Sequence, residues 1–101
     1  MMDKHRKPVP CLTLYTKADC ELCRRAKAML LDLQDKLGFT LDEIDITTSA
    51  ALYDAFHQEI PVGYLDGRKV FKYQVEPTLL RRQLQRSQRW RVGGWFSPRL
   101  C

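Results

Sequence analysis

The stretch CLTLYTKADCELC, from Cys11 to Cys23, decides how this chain reads. Its opening residues alternate, with Leu12 and Leu14 on one face and Cys11, Thr13 and Tyr15 on the other, which is the period of a β-strand. Thr16, Lys17, Ala18 and Asp19 break the alternation. After them Leu22, Ala26, Met29, Leu30, Leu33 and Leu37 recur at helical spacing among charged residues, so an amphipathic helix is expected, closed by Gly38 as a left-handed cap. Two cysteines therefore stand where a strand hands over to a helix.

Outward from this unit, Phe39 and Leu41, then Ile44 and Ile46, frame a second strand whose phase slips at Asp42 and Glu43. Either a bulge or a strand partly covered on both faces would produce that slip. Thr47, Thr48 and Ser49 offer N-caps for a short helix around Ala50 to Phe56. Pro61 opens a strand through Val62 to Leu65, Asp66-Gly67 is a hairpin turn, and Lys69 to Lys72 return. Glu76-Pro77 starts a last helix, with Leu79, Leu80 and Leu84 as its stripe, to about Arg86. The order is β-α-β-α-β-β-α, an α/β fold. The first two strands should be parallel and the last two antiparallel, in a four-stranded mixed sheet covered by helices on both faces.

At 101 residues, 45% hydrophobic and 29% charged, the chain has room for one compact domain and short tails. Residues 1–10 read as a basic tail, 11–86 as the domain, and 87–101 as a basic tail carrying Trp90 and Trp95. No apolar run approaches the roughly 20 residues that cross a bilayer. The charged start also lacks a secretory apolar core, so a cytoplasmic protein without a membrane partner is expected. There the four cysteines would normally stay reduced rather than form a disulfide framework, Cys11 reading as a small apolar residue that begins a strand and Cys101 as an exposed thiol. Zinc needs a second close pair of ligands, which Cys11, Cys101, His5 and His57 do not form, so no metal site is expected.

A thiolate is the nucleophile of disulfide exchange, and a helix start favours it with free N–H groups and a partial positive charge. Cys20 takes that position, and Cys23 lies three residues on along the same helical face, within reach of a mixed disulfide formed at Cys20. The flanking charges nearly cancel, Lys17 and Arg24 favouring the thiolate and Asp19 and Glu21 opposing it. These residues make Cys20 and Cys23 the candidate catalytic pair.

Tyr15-Thr16-Lys17-Ala18-Asp19-Cys20-Glu21-Leu22-Cys23 resembles the glutaredoxin signature, in which an aromatic residue, Ser or Thr, and Lys precede the dithiol. Ile60-Pro61-Val62 resembles the cis-proline segment that faces it. Together with Asp45-Ile46 and Asp66-Gly67, the pattern is similar to the small glutaredoxin-like proteins of the thioredoxin-fold superfamily, over residues 11 to about 86. The resemblance implies a thioredoxin-like fold and a dithiol-disulfide oxidoreductase serving cell redox homeostasis. In it Cys20 would be the nucleophile and Cys23 the resolving thiol. Lys17 would be a charge beside the site, and Pro61, expected cis, would leave the Ile60 backbone free to pair with a substrate.

Two departures bear on the substrate. Glutaredoxins usually place Pro and Tyr between the cysteines, where this chain has Glu21 and Leu22. They also carry Gly-Gly, then Cys or Ser, then Asp before the last helix, to hold the γ-glutamyl end of glutathione. Here Gln74-Val75-Glu76-Pro77 stand instead. Ionised Glu76 donates no hydrogen bond and Pro77 has no N–H. No tightly bound cofactor is expected, and glutathione as co-substrate loses its usual donors. The expected partners are protein disulfides or glutathione mixed disulfides, with a thioredoxin-type or glutathione system as reductant and the protein a monomer.

Competing readings are an iron-sulfur cluster carrier that binds through Cys20, and a redox-silent module that binds protein or RNA through the basic tail. Arg81, Arg82, Arg86, Arg89 and Arg91 with the two tryptophans would serve the latter. No RNA-binding motif accompanies them, and a nucleic-acid partner is not expected.

Overall fold

In the computed structural model the structure describes residues 9–92, and the side chains of residues 9–86. His5, Cys101 and the side chains of Arg89, Trp90, Arg91, Trp95 and Phe96 lie outside what is described. Strand β1 (Cys11–Thr16) leads into helix α1 (Glu21–Leu37), then β2 (Thr40–Asp45), a 3-10 turn (Ile46–Thr48) and α2 (Ala50–Phe56). Strands β3 (Val62–Leu65) and β4 (Arg68–Lys72) and helix α3 (Pro77–Val92) complete the order.

The sheet runs β2-β1-β3-β4, with β1 and β2 parallel and the other pairs antiparallel. It is the mixed four-stranded α/β arrangement that the alternation and turns predict. On one face Leu12 and Leu14 of β1 are fully buried against Ala26 and Leu30 of α1 and Leu80 and Leu84 of α3. On the other, Tyr15 stacks on Phe56 at 4.4 Å between ring centroids, and Tyr64 meets both edge-on. Phe56 thus brings α2 onto the face opposite α1, and the sheet is covered on both sides.

Gly38 ends α1 in the left-handed region (φ 75°), its N–H donating to the Gln34 carbonyl. Asp66 (φ 50°) and Gly67 (φ 89°) form the tight turn of the β3-β4 hairpin, where both central residues need positive φ. The phase slip at Asp42 and Glu43 is not a bulge. β2 pairs with β1 in unbroken register and is an edge strand with partial burial on both faces. The irregularity lies instead between Gly63 and Tyr64, where the Phe71 ring crosses Gly63 so closely that a Cβ there would overlap it.

Two differences concern helices. The turn at Ile46–Thr48, capped by the Asp45 carboxylate, interrupts the path from β2 to α2. Helix α3 continues past Arg86 to Val92 because no glycine or proline intervenes between Pro77 and Gly93, and its glutamines and arginines are good helix formers.

Candidate active site

β1 delivers the chain to its carboxyl end at Thr16, and four residues separate it from the start of α1 at Glu21. Cys20 is the N-cap of that helix, with extended backbone (φ −119°, ψ 112°). Its carbonyl accepts the Arg24 N–H at 3.1 Å, and its Sγ accepts the Cys23 N–H at 3.1 Å. A sulfur thus sits where a serine or aspartate oxygen commonly caps a helix, with a backbone donor aimed at it. Both Cys20 and Cys23 are free thiols; Cys20 is half-buried and Cys23 is 3% exposed. Cys11 is disulfide-bonded, so the start of β1 does not hold a plain apolar thiol.

The two sulfurs differ in their surroundings. Burial pushes the Cys23 thiol up to about 12, with the hydrogen bond to Cys20 adding to it, a Lys17 backbone hydrogen bond opposing it, and the charges of Cys20 and Glu43 raising it further. Leu22, between the cysteines, is 48% exposed and adds an apolar side chain to a surface that Glu21 and Arg24 make charged.

Lys17 stands beside the pair, one third exposed, its Nζ 3.0 Å from Asp19 Oδ1. The Asp19 hydrogen bond and charge hold the Lys17 ammonium above its ordinary value, with smaller contributions from Tyr53 and Cys20. Lys17 is therefore near Cys20 but already paired. Arg24, the other expected cation, is held by Glu21 at 2.6 Å.

The Ile60-Pro61 peptide bond is cis, and Pro61 is fully buried. Because Val62 pairs with Tyr15, Pro61 lies at the same end of the sheet as the β1-α1 handover. The Ile60 N–H donates to the Phe56 carbonyl at 3.1 Å, so the backbone group Ile60 can offer an incoming chain is its carbonyl. The Pro61 carbonyl accepts the Tyr73 N–H at 2.8 Å. Tyr73 is left-handed (φ 73°), which costs a non-glycine residue on the order of 1–2 kcal/mol. It presents a 48% exposed ring beside Lys72.

Sequence reading missed Tyr73, and it missed the depression of about 420 Å³ lined by Thr16, Lys17, Cys23, Arg24, Lys27, Glu43 and Asp45. The phase slip at Glu43 was the only signal of it. Glu43 pairs with Leu14 across the sheet and so faces α1, where Lys27 Nζ meets its Oε1 at 2.8 Å and the Thr16 hydroxyl donates to its Oε2 at 3.3 Å. Among the described residues, no three His, Cys, Asp or Glu side chains are grouped to hold a metal ion. Nor is any helix long and apolar enough to cross a membrane.

Residues 11–85 match the glutaredoxin-like domain (DUF836). An uncharacterised protein of Mycobacterium tuberculosis is 34% identical over 83 residues, which span 77% of this chain and 86% of the relative. The solved structure of protein Ne2328 from Nitrosomonas europaea superposes with a TM-score of 0.69 at 25% identity, covering 82% of this chain and 99% of that one. A glutaredoxin from Brucella melitensis, 19% identical, shares the fold with a TM-score of 0.51 over 91% of this chain and 99% of its own.

Proposed function

The chain belongs to the glutaredoxin-like domain family, and from that premise we propose that it is a thiol-disulfide oxidoreductase acting on protein disulfides through Cys20 and Cys23. Family and fold support a redox-type function of the thioredoxin fold. One observation carries the finer reading: a half-buried sulfur caps α1 and receives the N–H of a second, buried free thiol three residues on.

In the forward direction the Cys20 thiolate attacks one sulfur of a substrate disulfide. That bond breaks, a Cys20 mixed disulfide forms, and the first substrate sulfur leaves as a thiolate that takes up a proton. Cys23 then loses its proton and attacks Cys20 Sγ. The second substrate sulfur leaves, two electrons have passed to the substrate, and the Cys20-Cys23 disulfide remains for a cellular dithiol or glutathione to reduce. Lys17 borders the site, and Pro61 with the Ile60 carbonyl forms the rail along which an extended substrate chain lies.

A protein substrate is favoured over glutathione by the ground next to α3. Glu76 places a carboxylate there, hydrogen-bonded by the Gln74 amide at 3.1 Å, and Pro77 supplies no N–H. The exposed Leu22 and Tyr73 rings the approach with apolar surface that suits a polypeptide.

The test is equilibration of the protein in glutathione and dithiothreitol buffers, with trapped thiols counted by mass spectrometry and Cys20→Ser and Cys23→Ser as controls. A reversible two-electron couple between about −180 and −270 mV is expected. Absence of a Cys20-Cys23 disulfide at any poise would remove the reading.

A further inference from the structure

We propose that Tyr73 is a specificity-determining residue, whose ring receives an aromatic or large apolar side chain standing about three residues from the reacting cysteine of a polypeptide substrate. The inference rests on the dithiol reading above and names a substrate feature that the reading leaves open.

Among the described residues, positive φ occurs at Gly38, Asp66, Gly67 and Tyr73. The first three cap a helix or close a hairpin, and each is glycine or carries a short polar side chain. Tyr73 puts a bulky side chain into the same region. The backbone has its own reason to turn there. β4 ends at Lys72, and three residues on Val75 is buried in the core with Leu80 and Leu84, so the chain swings inward across Tyr73 and Gln74. Glycine would make that turn without strain. The tyrosine ring does not offset the strain by burial, since it is 48% exposed. A conformational outlier that the fold does not require points to the side chain it presents.

Position says what that side chain meets. The sheet order β2-β1-β3-β4 sets three features in a row at one end: β1 leading to Cys20, Pro61 entering β3, and β4 leaving at Tyr73. Two strand spacings amount to about 10 Å, which an extended chain covers in about three residues. A substrate lying across Pro61 with its sulfur at Cys20 therefore reaches Tyr73 with a side chain three positions away.

Two contacts hold the ring for this purpose. The Tyr73 N–H donates to the Pro61 carbonyl at 2.8 Å, which ties its backbone to the proposed groove. The Lys72 ammonium stands 5.4 Å from the ring centroid. For an acidic side chain the same ground is less suited. The charge of Lys72 already acts on Glu59, and Glu76 adds a carboxylate three residues beyond Tyr73. An aromatic or apolar side chain gains ring contact and the burial of both surfaces.

The test uses the reduced full-length protein and a heptapeptide, capped at both ends, with cysteine at its centre joined through a disulfide to an aromatic thiol that is coloured when released. Three versions carry phenylalanine, serine or aspartate three residues from the cysteine on each side. Attack by Cys20 releases the coloured thiol, and its dependence on peptide concentration separates KM from the limiting rate.

For the native protein, KM for the phenylalanine peptide should lie about tenfold below that for the serine peptide, with limiting rates within about threefold of each other. Tyr73→Phe, which keeps the ring, should keep that preference. Tyr73→Gly should lose it, while its urea midpoint holds or rises because the left-handed strain is gone.

A native protein indifferent to phenylalanine, or a Tyr73→Gly variant that still prefers it, overturns the proposal. So does a native preference for the aspartate peptide over both others, which would move recognition to Lys72. A Tyr73→Gly midpoint below the native one, with all three peptides slowed alike, would make the ring a support of the fold and overturns it too. If the native protein releases no coloured thiol from any peptide, the dithiol reading itself has failed.

Discussion

Two strand-to-helix handovers lie at the same end of the sheet, on either side of β3, and are built to the same plan. β1 and β4 both run antiparallel to β3, so their carboxyl ends point the same way. Each reaches its helix through four residues, Lys17 to Cys20 before α1 and Tyr73 to Glu76 before α3. In both, the carbonyl of the residue before the helix accepts an N–H four residues on, Cys20 from Arg24 and Glu76 from Leu80. They differ in the side chain at that position. One helix start receives a sulfur, and the other carries an exposed carboxylate hydrogen-bonded by the Gln74 amide. Equivalent backbone geometry thus yields one site for chemistry and one that discourages an anionic ligand.

The largest effect should come from removing the sulfur at the first handover. Cys20→Ser is expected to lower turnover of a protein disulfide by about a thousandfold or more, since a serine hydroxyl does not replace a thiolate in exchange. Cys23→Ser should keep the first attack and accumulate a mixed disulfide, visible as an added mass. Comparable losses of the first attack in both variants would show that the two cysteines do not hold separate roles.

An intermediate effect should follow from making the second handover resemble a glutathione site. Replacing Glu76 and Pro77 together, as Glu76→Ser with Pro77→Ala, removes a negative charge and restores an N–H. It should lower KM for a glutathione mixed disulfide by about tenfold, the scale of one charge-assisted hydrogen bond. An unchanged KM would mean that the α3 corner does not set the choice of substrate.

The smallest effect concerns stability at high pH. Burial first, then Cys20, raises the Cys23 thiol from 9.0 to about 12 in the folded protein. Between those values the unfolded chain has released the proton and the folded one has kept it. The contribution is therefore fully present below 9.0 and is lost as pH climbs toward 12. Urea midpoints of the reduced protein should fall more steeply as pH rises from about 9 toward 12 than those of Cys23→Ala. Parallel declines would show that Cys23 does not carry the effect.

Much of this arrangement was legible in the residues. The alternation around Leu12 and Leu14, the helix from Leu22 to Leu37, the stop at Gly38 and the Asp66-Gly67 turn are local signals that the structure honours, except that Leu22 and Met29 of the expected stripe are exposed and Cys23 is buried with Ala26 and Leu30. Cys20 at the helix start was read from the same stretch. Features that depend on what lies across the sheet were not. Glu43 reads as a charge on an edge strand until its pairing with Leu14 turns it under α1. A bulge was one expectation at Asp42, but the register shift falls in the β3-β4 pair, between Gly63 and Tyr64, where the Phe71 ring crosses Gly63. The N–H of Ile60 looked available because nothing in its neighbours announces that Phe56 will claim it.

The β3-β4 hairpin is latched at both of its ends. At the turn, the Asp66 N–H donates to the Cys11 carbonyl and the Cys11 N–H donates to an Asp66 carboxylate oxygen. At the open end, the Tyr73 N–H donates to the Pro61 carbonyl. A polypeptide that presses on Pro61 is therefore opposed by the whole ribbon and by the strand beside it, not by one loop. On the proposed reading, the floor of the substrate groove would behave as an anvil, against which the Cys20 sulfur is brought to bear.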